Sequence, residues 1–444
     1  MDEVTEYIAQ YYDRDAQHEW ERMERHRTEF AVTLRAMEKY LPPPPARVLD
    51  CGGGPGRYAI ELAKRGYRVT LFDLSPGNLQ LAQEKVRAAD VTLEAIEQGS
   101  ATDLSRFAED VFDAVLLMGP LYHLLEVEQR QQALREARRV LKPGGPLLAS
   151  FITRYSAHRY AAVEETDWIL REEQRSEELL HTGKLLPVEK DGQGRHGFVA
   201  YMALPAEVAP LCWQAGLEVK EILGVEGLVS HAEDQINLLD GELWERWVAL
   251  NERVSSDPCI HGCVEHLLAV TFKPHWRAVL QQIARRLNAD GVTYNLAGGA
   301  SLALHGLPLP VRDVDIETDA EGAYRIQEIF ANQLTGMFTV KEPVALGSTE
   351  LYRSHIGRFD FQGVQVEVMG DNQRREGDEW VATRALTEEM VDLDGTPVRT
   401  SWLEEETLAY IRRGRLERAS FCLPFCQRER LLALMRREIP TQVF

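Results

Sequence analysis

Cysteine is scarce. Six in 444 residues are too few and too scattered for a disulfide framework. Long apolar runs are missing too, and none approaches the ~20 residues of a membrane span. Met1 is followed by Asp2 and Glu3, not by a basic and then apolar leader, so the expectation is a cytoplasmic protein with no membrane partner. Positive charge is in deficit: 50 lysines and arginines against 70 acids leave a net charge of −20. That disfavours broad tracking of a nucleic-acid backbone. The local exception is Arg412, Arg413, Arg415, Arg418, Arg428, Arg430, Arg436 and Arg437, read as solvated helical charge, with an RNA footprint as the alternative.

Apolar residues, at 44%, are plentiful enough for sizeable cores, and the length suggests two or three domains. Two C-x3-C pairs, Cys259/Cys263 (with His261 and His266 nearby) and Cys422/Cys426, have spacings related to zinc sites. Reduced, partly buried thiols are the preferred reading, because the first pair adjoins an apolar strand and the second flanks Leu-Pro-Phe.

The most informative stretch is Ala46–Gly56. Val48 and Leu49 end a buried strand, Asp50 follows, then Gly52, Gly53, Gly54 and Gly56, then helical apolar spacing from Tyr58. Glycines let the chain turn sharply and let a ligand approach the main chain. A second strand ends in Asp73, about 20 residues on, where a ribose diol is gripped; an NAD site has the same spacing. Strands are predicted at 46–50, 67–72, about 91–97, 112–117 and 146–152, alternating with helices, which implies a parallel sheet covered on both faces. Strand ends carry the ligand in such sheets, so Asp50, Asp73, residues 99–103 and Met118–Pro120 converge on one crevice.

Taken together, Asp50 before the glycine loop, Asp73-Leu74-Ser75, the strand Phe112–Met118 and Arg139-Val-Leu-Lys-Pro-Gly-Gly145 resemble the class I S-adenosylmethionine (SAM) methyltransferases. The resemblance implies SAM as cofactor, held by Asp50, Gly52, Gly54, Gly56, Asp73, Leu74, Ser100, Ala101 and Met118. Ser100 stands where the family usually has an acid, and Asp103 nearby is either a substitute or a helix cap. Residues 4–40 read as helical, and by the same resemblance Tyr11 reaches the SAM side, with aromatic packing as the alternative. His123 is either a base for the acceptor or a helix-start histidine without chemistry. The Asn/Asp-Pro-Pro-Tyr/Phe motif of nucleic-acid amino methylation is replaced by Met118-Gly-Pro-Leu-Tyr122, which favours a small-molecule acceptor. Residues 154–200 form an insertion, read as an acceptor lid or a solvated hairpin. A helix at 206–215 and strands at 219–225 and 266–272 close this first domain, 1–273.

The second domain, 274–444, opens with an amphipathic helix at 275–290. Gly298-Gly299 then follow a short strand and open a helix, and Asp313 and Asp315 flank Val314 on another strand. Alternation puts both carboxylates on one face, suited to a divalent cation. Glu367 lies on the polar face of a third strand, Val364–Val368. This pattern resembles the DNA polymerase β-type nucleotidyltransferases, notably the small lincosamide and aminoglycoside enzymes. The resemblance implies a smaller α/β (α+β) domain with Mg²⁺ on Asp313, Asp315 and Glu367. It also implies an NTP, ATP by preference, on Gly298, Gly299 and Ser301. Asp360 is the reserve acid, and helices at 404–418 and 427–437 finish the chain. The expected protein is a bifunctional small-molecule-modifying enzyme. The alternatives are a methyltransferase with a non-catalytic nucleotide- or substrate-binding module, or an RNA-modifying enzyme.

Overall fold

A computed structural model of the chain describes residues 3–190, 194–307, 309, 311–331, 339–345, 352–362, 364–383, 386–387 and 389–438. It divides into two compact units, Met1–Lys273 and Pro274–Phe444.

The first unit begins with three helices, α1 (Glu3–Arg14), α2 (Ala16–Arg25) and α3 (Arg27–Tyr40). The expected single helical run is thus broken twice, at Asp15 and His26, whose backbone leaves the helical region. Then come β1 (Arg47–Cys51), α4 (Arg57–Lys64), β2 (Arg68–Asp73), α5 (Pro76–Ala88), β3 (Ala95–Gln98), β4 (Ala114–Leu117), α6 (Pro120–His123), α7 (Val127–Val140) and β5 (Pro146–Ile152). The seven-stranded sheet runs from strand Glu218–Gly224 through strand His266–Phe272 to β5, β4, β1, β2 and β3. Five strands are parallel, and strand His266–Phe272 alone runs against them, inserted between β5 and strand Glu218–Gly224.

Sequence explains why the strands are apolar on both sides. Leu49, Val115, Leu117 and Ala149 enter one core, while Val48, Ala114, Leu116 and Leu148 enter the other. Alternation therefore gives each face of a doubly covered sheet its own core. Phe112, expected to start β4, makes only a single bridge to Leu141. The insertion supplies helices Ser156–Glu164, Trp168–Arg171 and Glu173–Thr182 and short strand pairs.

The second unit has a six-stranded sheet in the order Tyr294–Ala297, Asp313–Thr318, Val364–Glu376, Tyr352–Phe361, Lys341–Ala345, with Glu379–Ala382 paired to the third. Helix His275–Ala289 packs Val279, Ile283 and Leu287 into its core. The expected helix at 404–418 is two: Leu403–Arg412 stops where Gly414 takes φ +68°, and Leu416–Cys422 follows. Among the described residues no helix is long and apolar enough to cross a membrane.

Candidate functional site

The turn after β1 brings main chain to the surface of a cavity. Gly52 takes φ +74° and donates its N–H to Phe72 O at 2.7 Å. A Cβ there would lie 2.3 Å from the Pro120 ring, so a side chain at this position would push the loop after β4 away. Asp73, at the end of β2, accepts N–H groups from Gly54 (2.8 Å) and Ser75 (2.9 Å), which fixes its carboxylate against the loop. Asp50 is fully buried, and burial, helped by the nearby Asp73 charge, pushes its carboxyl up to about 7.

Asp50, Gly52, Gly54, Asp73, Leu74, Ser100, Ala101 and Met118 all border this first cavity. Gly56 does not; it caps α4 with φ +86°. Tyr11 does not either. It packs edge-on against Tyr12 and Phe198, and the cavity wall belongs to Tyr12. Asp103 does not border the cavity and caps no helix: it accepts the Ser105 N–H at 3.0 Å within a turn. The bare main chain at the turn and the carboxylate at the end of β2 suit the SAM ribose and amino-acid ends.

The N-terminal helices roof this cavity, as the resemblance implied, but with residues other than Tyr11. Ile8, Tyr12, Glu19, Arg22 and Met23 come from α1 and α2. Asp13 ties α1 down, its Oδ1 accepting from Ser75 Oγ (2.6 Å) and from the Gly77 N–H (2.8 Å) at the start of α5. Such contacts between distant parts of the chain leave no local signal.

A second cavity of about 390 Å³ shares Tyr12, Glu19, Arg22 and Tyr122 with the first. The insertion supplies its aromatic and aliphatic walls, including Tyr160, Trp168, Leu185 and Phe198. His123 stands beside the partition. Its Nδ1 meets Val199 O at 2.7 Å and its Nε2 meets Tyr12 Oη at 2.7 Å. A carbonyl only accepts, so Nδ1 carries the proton and Nε2 accepts from the tyrosine hydroxyl. Burial lowers the His123 pKa to about 4, against the pull of Val199 O, and the ring stays neutral.

Behind the second cavity lies a buried ion network. Arg22 forks onto Glu29 at 2.8 and 3.0 Å; burial pushes the Glu29 carboxyl up, but the charge and hydrogen bonds of Arg22, joined by His266 and His26, together hold it low. His266 Nδ1 lies 2.6 Å from Glu226 Oε1 and 3.7 Å from Glu29 Oε2, and His26 Nδ1 lies 2.9 Å from Glu233. Among the described residues, Glu29, Glu226 and His266 are the only His/Cys/Asp/Glu group whose ligand atoms converge within 4.8 Å. Arg22 already supplies the positive charge there.

In the second unit, Asp315 pairs across the sheet with Ala297 on one side and Glu367 on the other. Gly298 takes φ +62°, and a Cβ on it would come within 2.2 Å of Asp315 Oδ2, so glycine is what lets the two meet. Burial, then Asp313, Glu367 and Glu406, push the Asp315 carboxyl up to about 7. Glu406, unflagged in sequence, accepts the Gly298 N–H at 3.2 Å.

This excess of oxygen anions suits a hard cation on Asp313 and Asp315. Glu367 is instead ion-paired to Arg358, and the three acids do not converge as a ligand set. Ser301 is fully buried, its hydroxyl facing the interior, whereas Gly298 and Gly299 are half-buried. The reserve acid Asp360 receives a hydrogen bond from Gln365 at 3.0 Å. All six cysteines are free thiols, and Cys422 and Cys426 are buried and half-buried as expected, but Cys259 and Cys263 are exposed. His261 turns away from that pair, its Nε2 3.1 Å from Ser255 O. Arg412, Arg413, Arg415, Arg418, Arg428 and Arg436 are exposed, and Arg430 is tied to Glu389 and Glu404.

Residues 48–145 match the methyltransferase domain family, and residues 279–419 match the aminoglycoside-2''-adenylyltransferase family. A ubiquinone biosynthesis O-methyltransferase of Xanthomonas axonopodis pv. citri is 31% identical over 194 residues, covering 44% of this chain and 72% of that enzyme. The enzyme of the same name from Pseudomonas syringae pv. tomato is 31% identical over 179 residues, 40% of this chain and 67% of its own. Among solved structures, a SAM-dependent methyltransferase from Methanosarcina mazei aligns at 19% identity and TM-score 0.36, covering 54% of this chain and 97% of that one. A putative nucleotidyltransferase from Thermotoga maritima aligns at 36% identity and TM-score 0.28, covering 33% of this chain and 90% of that one.

Proposed function

The chain belongs to the SAM-dependent methyltransferases and carries a nucleotidyltransferase-type domain behind them, and from that premise we propose an enzyme that modifies small organic molecules. In this reading the first unit methylates an acceptor held in the second cavity. The second unit transfers a nucleotidyl group, from ATP by preference, with Mg²⁺. The observation that carries the methyl half is the partition: Tyr12, Glu19, Arg22 and Tyr122 border both the glycine-lined cavity and the aromatic one, so the two occupants meet across these side chains. The relatives are named for O-methyl transfer, which supports an oxygen acceptor.

SAM supplies an electrophilic methyl group, so the chain's task is alignment and exclusion of water. Tyr12, held by neutral His123, is the partition's oriented hydroxyl. His123 therefore acts through Tyr12, and its lone pair is not open to the acceptor. In the second unit Asp313 and Asp315 are the proposed Mg²⁺ ligands, and the Gly298-Gly299 turn the phosphate cradle. A binding module without transfer is the second reading, favoured by the Arg358–Glu367 pair, which occupies the third carboxylate.

Mass spectrometry on a metabolite and antibiotic panel tests both halves, with the full chain, methyl-labelled SAM, Mg²⁺ and mixed NTPs. Labelled methyl should enter an acceptor, and a nucleotidyl group should enter one with the parent but not with Asp315→Asn. Methyl alone moves the second unit to the binding-module reading. No labelled small molecule, with label instead on added RNA, overturns the small-molecule proposal.

A further inference from the structure

Resting on the reading of the second cavity as the acceptor site, we propose that His266 is the group that holds the reacting oxygen. It selects a planar acceptor whose O–H is acidic, a phenol or enol bound as its anion.

The argument starts from how the imidazole is held. His266 is the first residue of strand His266–Phe272 and borders the cavity. Its Nδ1 donates to Glu226 Oε1 at 2.6 Å. Glu226 is wholly buried, and its other oxygen accepts the N–H groups of Glu265 (3.2 Å) and His266 (3.0 Å), so the carboxylate cannot swing away. The ring is thereby fixed with its opposite edge toward the cavity, where Nε2 has no hydrogen-bond partner among the described residues.

The surroundings decide that this edge carries a proton. Facing the ring are Glu226 from the loop after strand Glu218–Gly224, Glu29 from α3, Arg22 from α2, Tyr122 from α6 and its own neighbour Glu265. Burial alone would lower the imidazole pKa, but Glu29 and Glu226 outweigh both burial and Arg22 and hold it at about 9. The wall's acids do not cancel this cation. Glu19 is paired with Arg22, Glu165 with Arg171, and burial pushes the Glu265 carboxyl toward its neutral form. A charged N–H donor at the end of an aromatic-walled slot favours an oxygen anion on a flat body and repels an ammonium.

The chemistry closes without a base. The acceptor's proton leaves to solvent on binding. The oxygen lone pair then forms the O–CH3 bond as the S–CH3 bond breaks, and that electron pair stays on sulfur. An anion and a sulfonium become two neutral products, and His266 keeps its proton throughout. The methylated product no longer has the charge that His266 held.

The test reads ionisation of a bound probe, without turnover. Full-length protein is titrated into 4-nitrocatechol across pH and phenolate absorbance is followed. The bound probe should ionise at least about tenfold more readily than the free one, one pKa unit. His266→Gln should abolish that shift, and Glu226→Gln should reduce it. SAM affinity by calorimetry should be unchanged in both, which also reports that they fold. A probe bound with its ordinary ionisation, no binding by the parent, or an unchanged shift in His266→Gln overturns the proposal. Ala157→Trp, which fills the cavity wall, separates the two levels: if it still binds the probe, the acceptor-site reading itself has failed.

Discussion

Two buried histidines a few ångströms from the partition are held in opposite charge states, and the difference lies in what faces each. His123 meets a carbonyl and a hydroxyl, neither of which can offset the loss of water, so it is neutral. His266 meets two carboxylates and keeps its proton. The consequences for stability run in opposite directions with pH. With its pKa lowered to about 4 from 6.5, His123 contributes stability present above 6.5 and lost as pH falls toward 4. With its pKa raised to about 9, His266 contributes stability present below 6.5 and lost as pH rises through 9. Urea midpoints should therefore show the parent's advantage over His266→Gln, on the order of 3 kcal/mol, shrinking between pH 6.5 and 9. Its advantage over His123→Asn should shrink between pH 6.5 and 4. A difference that stays flat with pH would mean the charge assignments are wrong. Sequence exposed neither state: His123 was visible only as a neighbour of a strand end, and the carboxylates that charge His266 lie 40 and more than 200 residues from it.

At the scale of elements, what was legible is what is local. The β1 turn, the end of β2 with Ser75 capping α5, and strand His266–Phe272 each announce themselves within a few residues. What was hidden depends on tertiary partners. The apolar and charged pattern of residues 4–40 continues across Asp15 and His26, so it reads as one helix. The chain breaks there as α1 and α2 are drawn across the crevice, α1 by Asp13 on the start of α5 and the α2–α3 joint by His26 on Glu233. On α1 it is Tyr12, not Tyr11, that faces the cavity. Glu406 escaped notice because it sits on a helix more than 100 residues from the glycine it holds. Asp13→Ala removes the tie without touching the cavity. Calorimetry should find SAM binding weakened about tenfold, the loss of one or two charge-assisted hydrogen bonds of the roofed state, with an unfolding midpoint near the parent's. Unchanged affinity would show that α1 does not close over the ligand.

At the scale of the molecule, each unit has its own core: among the described residues no hydrophobic cluster mixes residues from before Pro274 with residues after it. A ligand that binds one folded unit stabilises that unit by mass action, about 2.7 kcal/mol at a hundred times its dissociation constant. For domains of this size that raises a melting midpoint by roughly 5 °C or more. Calorimetric scans should then resolve two transitions, one moved by SAM and the other by ATP with Mg²⁺. A single transition moved by both would reveal a cooperative whole. The shared partition has a further consequence, for the order of events in a catalytic cycle. Tyr12, Glu19 and Arg22 belong to the roof of one cavity and the wall of the other, so lifting α1 and α2 to exchange spent cofactor also opens the acceptor's side. On the proposed reading both products leave through the same opening, so an acceptor with more than one methylatable oxygen should appear in a time course first as free monomethylated product.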